Sequence, residues 1–104
     1  MGWFGGRGSV EKKLKQVSSR LVHLRDELRV IDEQLLQLRD EADDAALRAL
    51  VSESPAAGPE HREARGHADA MASHRAHVVA EIATLETRQD QLLDELAARS
   101  GSTQ

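Results

Sequence analysis

The sequence predicts an all-α fold in which two long helices form an antiparallel coiled-coil hairpin. Apolar residues recur at alternating intervals of three and four in two separate arrays, which is the heptad pattern of a coiled coil. A stretch that contains both prolines of the chain, SESPAAGP at 52–59, separates the arrays. Charged residues make up 31% of the chain and aromatic residues only 2%, a composition typical of long helices rather than of a mixed core.

The first array runs from Val10 to Ala49 and predicts a helix over about residues 9–51. Ser9 is a suitable N-cap, and Glu11 lies in the first turn, where the helix dipole favours an acidic side chain. Heptad position a holds Leu14, Leu21, Leu28, Leu35, Ala42 and Ala49, and position d holds Val17, Leu24, Ile31, Leu38 and Ala45.

The second array predicts a helix over about residues 59–99, after a turn at about 52–58. Pro59 fits the first helical position, and Gly101 is a candidate C-cap. Residues 1–8 then form a flexible, glycine-rich leader, and residues 100–104 form a frayed tail. Position a holds His61, Ala68, Arg75, Ile82, Gln89 and Leu96, and position d holds Ala64, Met71, Val78, Leu85, Leu92 and Arg99.

A short turn makes the two helices antiparallel neighbours. The apolar pattern then predicts their register, that is, which residues of the two helices face each other. We expect large residues to face each other towards the open end, with Leu21 opposite Leu92, and alanines to face each other near the turn. This register places Arg75 opposite Leu38 and Gln89 opposite Leu24. It also predicts four complementary charge pairs: Arg20 with Glu95, Glu27 with Arg88, Glu41 with His74, and Arg25 with Glu86.

One flank of the predicted hairpin carries apolar residues outside the heptad seam. A hairpin of two helices covers only one side of each helix, so it seldom stands without further burial. We expect this flank to be a protein interface at which two hairpins self-associate into a four-helix bundle, although a different partner helix could use it. The alternative is that these residues widen the seam and stay half exposed. The predicted interface residues are Val22, Leu36, Leu50, Val79 and Leu93.

The leader MGWFGGRGS contains the only aromatic residues of the chain, Trp3 and Phe4. Together with the basic residues Lys12, Lys13 and Lys15 they resemble a weak anchor for a partner or for an anionic membrane surface. Two other interpretations remain open. The leader can be solvated and flexible, or it can lie against the hairpin's own apolar flank.

Four histidines, His61, His67, His74 and His77, lie in the second predicted helix. His74 and His77 have a spacing that suits a shared metal ion, but no third ligand is arranged with them, so we predict no metal and no cofactor. The sequence contains no nucleophile elbow, phosphate-binding loop or zinc-finger spacing, which argues against an enzyme. Residues 21–104 carry nine basic and seventeen acidic side chains, which argues against a nucleic-acid partner.

The sequence therefore predicts a non-catalytic coiled-coil protein that acts as a structural or adaptor module in protein–protein interaction. The first alternative is a peripheral membrane-associated protein that uses the Trp3 and Phe4 leader. A distant third is metal or pH sensing through histidine. We expect a cytoplasmic location, with peripheral membrane contact under the first alternative. The excess of Arg over Lys and the abundance of Ala favour a bacterial source.

Overall fold

The computed structural model describes the backbone of residues 2–101 and the side chains of residues 7–100. It contains two helices, α1 (Gly2–Val51) and α2 (Ala57–Gly101), and no strand within the described residues. The helices pack against each other as a hairpin. The predicted all-α hairpin is therefore confirmed, whereas its dimerisation stays a prediction.

The chain divides into two compact units, each with a segment of both helices. Unit 1 consists of Met1–Asp26 and Val79–Gln104, and unit 2 consists of Glu27–Val78. Unit 2 contains the loop that joins the helices. The two units are described separately below.

The buried side chains of both units follow the predicted heptad seam. In unit 1, Leu21, Leu24 and Leu92 are almost fully buried. In unit 2, Ile31 and Leu35 of α1 and Val78 of α2 are buried. Alanines complete the core of unit 2 towards the loop: Ala45, Ala57 and Ala68. No polar side chain is buried among the described residues, so the described core depends on aliphatic burial alone.

Two polar residues at seam positions, Gln89 and Arg75, are only partly buried because each reaches a polar partner on α1. In unit 1, Gln89 Nε2 donates a hydrogen bond of 3.0 Å to Ser18 Oγ. In unit 2, Arg75 Nε donates one of 2.6 Å to Asp32 Oδ1, and this bond closes an ion pair. Both residues can therefore occupy seam positions, because their polar ends lie at the edge of the seam.

These two contacts show that the predicted register is wrong. Arg75 was expected opposite Leu38 but contacts Asp32. Gln89 was expected opposite Leu24 but contacts Ser18. Each observed partner lies six residues before the predicted partner on α1. A shift of one heptad (about 7 residues) fits both contacts, since only a whole heptad returns the a and d positions to the seam. The register of both units is therefore displaced by one heptad from the predicted one.

The charge pairs between the helices change with the register. Of the four predicted pairs only Arg25 with Glu86 forms, at 3.4 Å. Arg20 contacts Glu81 rather than Glu95, with Nη2 3.2 Å from Oε1 and 3.3 Å from Oε2. Glu95 instead accepts a hydrogen bond from Arg99, one turn along α2.

The two remaining predicted pairs also fail. Glu27 contacts His74, with 3.3 Å between Oε1 and Nε2, and not Arg88. Glu41 accepts a hydrogen bond from Gln37 on its own helix, and not from His74. Arg20 and Glu27 each contact a residue fourteen positions before the predicted partner on α2, so the ion pairs do not follow the shift of one heptad residue by residue.

The helix boundaries differ from the predicted ones by up to seven residues, and residues 2–8 of the predicted flexible leader belong to α1. Helix α1 begins at Gly2, so Ser9 lies inside the helix instead of capping it. An exposed ion pair between Arg7 and Glu11, at 3.1 Å and spaced i,i+4, spans this position and supports the helix across it. Helix α2 begins at Ala57 and continues to Gly101, and residues 102–104 of the predicted tail lie outside the described residues.

Residues 52–56 form the loop between the helices. Pro55 disfavours the helical conformation of Ser54 before it, so a helix does not continue through the loop. Ala57 N donates to Ser54 O over 3.2 Å, closing a turn with Pro55 at its second position. The hydroxyls of Ser52 and Ser54 accept from the backbone N–H groups of Ser54 and Ala56. Serine side chains therefore satisfy loop donors that the helices leave unpaired.

Candidate protein-interaction surface

All five predicted interface residues are exposed. In unit 1, 64% of Val22, 39% of Val79 and 47% of Leu93 are exposed. In unit 2, 66% of Leu36 and 81% of Leu50 are exposed. Large aliphatic side chains at these levels of exposure leave apolar area in water that a partner could bury.

The register also separates Val22 from Leu93, which were expected to be neighbours. Ser18 pairs with Gln89, so Val22, four residues later on α1, is level with Leu85 on α2. Leu93 therefore lies eight residues further along α2, or about 12 Å at 1.5 Å per residue. Val22 and Leu93 therefore do not form one patch.

Unit 2 contains an open groove of about 440 Å³ between the two helices. Its floor is formed by alanines of both helices, and Ala68 is the most buried of them. Because alanine side chains end at Cβ, the helices leave a depression here that larger residues would fill. The alanines that line the groove are Ala42, Ala46, Ala68 and Ala72.

Charged residues of both signs line the same groove: Arg39 and Asp43 on α1, and Arg65 and Asp69 on α2. All four are exposed, and within residues 7–100 none of them takes part in an ion pair. The inter-helix pairs of unit 2 lie elsewhere, at Asp32 with Arg75 and at Glu27 with His74. The groove thus presents charges of both signs that are not engaged in ion pairs within the described residues.

A second depression, of about 370 Å³, adjoins the groove at Arg39. Leu36 lines it, together with Asp32 and Arg75. The hydrogen bond to Asp32 and the charge of this carboxylate raise the pKa of Arg75 above its ordinary value. Both residues line the depression, so their ion pair lies at its edge.

We call the surface around both depressions the groove face. It consists of Leu36, Arg39, Ala42, Asp43 and Ala46 of α1 and of Arg65, Ala68, Asp69 and Ala72 of α2. Of the predicted interface residues, the structure places Leu36 directly on this face. Leu50 follows Ala46 by one helical turn on α1.

Sequence reasoning missed the charged rim of the groove and two exposed apolar residues near the loop. Leu47 is 62% exposed and Val51 is 84% exposed. Both lie outside the a and d positions of the heptad, so their position in the sequence could have identified them as exposed apolar residues. The rim could not be found in the same way, because Arg39 and Asp43 look like ordinary solvated charges in the sequence.

The candidate anchor in the leader lies only partly within the described residues. The side chains of Trp3 and Phe4 are outside them, although both residues belong to α1. Lys12, Lys13 and Lys15 are exposed on the same helix. No helix of the described residues is long and apolar enough to cross a bilayer.

The histidines of α2 do not form a cluster. His74 contacts Glu27, and His61 lines the groove. Within the described part of the chain, no three histidine or acidic side chains are placed to hold one metal ion.

Comparison of the chain with protein-family models, with curated proteins and with solved structures gives no match. Its function must therefore be argued from the surface itself.

Proposed function

We propose that this protein is a non-catalytic helical-hairpin module that acts by binding protein through the groove face of unit 2. The observation that carries the proposal is the combination of a groove with an alanine floor and an exposed leucine beside it. A helix side chain can enter such a groove, because small residues allow close approach of a second backbone.

The energetics favour occupancy of this face. Leu36 is 66% exposed, and burying the exposed part of its side chain contributes about 1–2 kcal/mol to a complex. Unpaired charges at the rim can add direction and register to the contact, since complementary charges steer association. A structural or adaptor role follows, because the face offers contact and orientation rather than reacting groups.

In-cell photo-cross-linking tests this proposal. A photo-reactive amino acid replaces Leu36 on the groove face, and a matched control replaces Gln34, which is exposed but lines neither depression. We expect discrete protein adducts from the Leu36 position only, identified by mass spectrometry. Equal labelling from both positions, or none from Leu36, would contradict a binding role for the groove face.

A further inference from the structure

The charges of the groove face form a repeated pattern. On each helix an arginine precedes an aspartate by four residues: Arg39 and Asp43 on α1, and Arg65 and Asp69 on α2. Residues four apart lie on the same side of a helix, one turn from each other. Each helix therefore presents one positive and one negative charge along the groove.

The ion pair between Asp32 and Arg75 fixes which positions of the two helices are level in unit 2. Because the helices are antiparallel, Arg39, seven residues after Asp32, is level with Ala68, seven residues before Arg75. In the same way Asp43 is level with position 64. The arginine–aspartate pairs of the two helices thus occupy the same stretch of the groove.

A face of two antiparallel helices can dock on a second copy with two-fold symmetry in two ways. In the first, α1 lies antiparallel on the second copy's α1. With the axis at position 41, Arg39 meets the second copy's Asp43, and the reverse contact forms by symmetry. Position 41 of α1 is level with position 66 of α2, so the same axis crosses α2 about midway between Arg65 and Asp69. Arg65 therefore meets the second copy's Asp69, and the reverse contact again forms by symmetry.

In the second arrangement α1 lies on the second copy's α2. Arg39, level with position 68, then meets the second copy's Asp69. Asp43, level with position 64, meets the second copy's Arg65. Both arrangements therefore place every arginine of the rim against an aspartate.

The apolar contacts agree with the charges. In the first arrangement Leu36, five residues before the axis, meets the second copy's Ala46, five residues after it. In the second, Leu36 is level with position 71 and lies next to the second copy's Ala72. An exposed leucine thus enters the alanine-floored groove in either case, and it does so twice by symmetry.

From this self-complementarity we infer that the partner of the groove face is a second copy of this chain. The inference rests on the proposed function and names its partner. A partner of strongly positive or negative charge fits the face less well, because two of the four rim charges would meet like charges. A surface with alternating signs at the same spacing meets each of the four charges with an opposite charge, and the chain itself carries such a surface.

Charge-segregated variants test this inference with the full chain. The acidic variant carries Arg39→Glu and Arg65→Glu, and the basic variant carries Asp43→Lys and Asp69→Lys. The matched control carries Lys13→Glu and Arg48→Glu, which change the charge as much as the acidic variant but line neither depression. Sedimentation velocity measures the mass of each protein, and circular dichroism verifies that each remains helical.

We expect the wild type and the control to dimerise and each charge-segregated variant alone to bind itself about tenfold more weakly or worse. An equimolar mixture of the acidic and basic variants should recover the dimer. A monomeric wild type, self-association of both variants at wild-type strength, or a mixture that stays monomeric would overturn the inference. None of these outcomes would remove cross-links from Leu36 to a different protein. The dimer and the proposed protein-binding function are therefore tested by separate experiments.

Discussion

Gln89 of α2 donates a hydrogen bond from Nε2 to Oγ of Ser18 on α1, over 3.0 Å. Both residues are partly buried at the edge of an otherwise aliphatic seam. This contact aligns the helices of unit 1, because a displacement of one heptad would leave the amide of Gln89 against Leu24. Loss of this hydrogen bond costs about 0.5–1.5 kcal/mol, which favours the observed register over another of similar apolar packing.

Engineered disulfides test this register, since the chain contains no cysteine. We expect Ser18→Cys with Gln89→Cys to form an intramolecular disulfide faster than Arg25→Cys with Gln89→Cys. Arg25 occupies the same heptad position as Ser18 but lies seven residues later, about 10 Å along the helix. Non-reducing electrophoresis after timed oxidation gives the two rates, and faster closure of the Arg25 pair would support the register that we reject.

Truncation of the aliphatic core should be costly. Leu24 is almost fully buried in unit 1, so Leu24→Ala should lower the free energy of unfolding by about 2–5 kcal/mol. The control Leu47→Ala removes an exposed leucine of the same helix and should change it by less than about 0.5 kcal/mol. Urea denaturation followed by helical circular dichroism measures both. Similar losses in the two variants would argue against the heptad seam as the core.

Gly66 offers a stabilising substitution. It lies inside α2, its φ is not positive, and a Cβ at this position would meet no atom within 4 Å. Gly66→Ala should therefore raise the free energy of unfolding by about 0.5–1 kcal/mol, because alanine loses less backbone entropy in a helix. Urea denaturation checks this. A loss of stability would mean that α2 is not a regular helix at this residue.

The ion pair of Asp32 and Arg75 should appear as an energetic coupling. Each of Asp32→Ala and Arg75→Ala removes the 2.6 Å contact, so the double variant should be more stable than the sum of the single effects predicts. Both side chains are nearly half exposed, so the coupling should be small beside the loss from Leu24→Ala. Strictly additive changes in melting temperature would show that the contact contributes nothing.

The protein should need Leu36 to associate through the groove face but not to fold. Leu36→Glu places a charge over the alanine floor and should weaken the dimer by about tenfold or more, with helicity unchanged. Leu47→Glu is the matched control, because Leu47 has a similar exposure but does not line the groove. Size-exclusion chromatography with light scattering compares the two. Equal loss of dimer in both variants would place the interface elsewhere.

The heptad arrays were sufficient to predict the two helices and their seam. Leu21, Ile31 and Leu92 are buried at their predicted positions because the spacing of apolar residues directly determines the buried side of a helix. The register was not determined in this way. A heptad pattern repeats, so Leu21 meets a leucine whether it faces Leu92, as predicted, or Leu85, as it does after a shift of one heptad. The polar contacts at Asp32 and Ser18 distinguish the two registers.

Only part of the candidate surface was predicted, because the register was not determined by the sequence pattern. Leu36 and Leu50 were identifiable as apolar residues outside the seam. The groove beside Leu36 depends on which alanines of α1 and α2 are level, which requires the correct register. The unpaired state of Arg39 and Asp43 depends on side-chain geometry, which composition and spacing do not contain.

The central claim is that the groove face binds a second copy, and the mass of the purified full chain in solution tests it most directly. Sedimentation equilibrium over a wide range of concentration gives this mass without a label. Our account predicts a species of twice the 11.4 kDa chain mass that dissociates on dilution. A mass of 11.4 kDa at every concentration would contradict it.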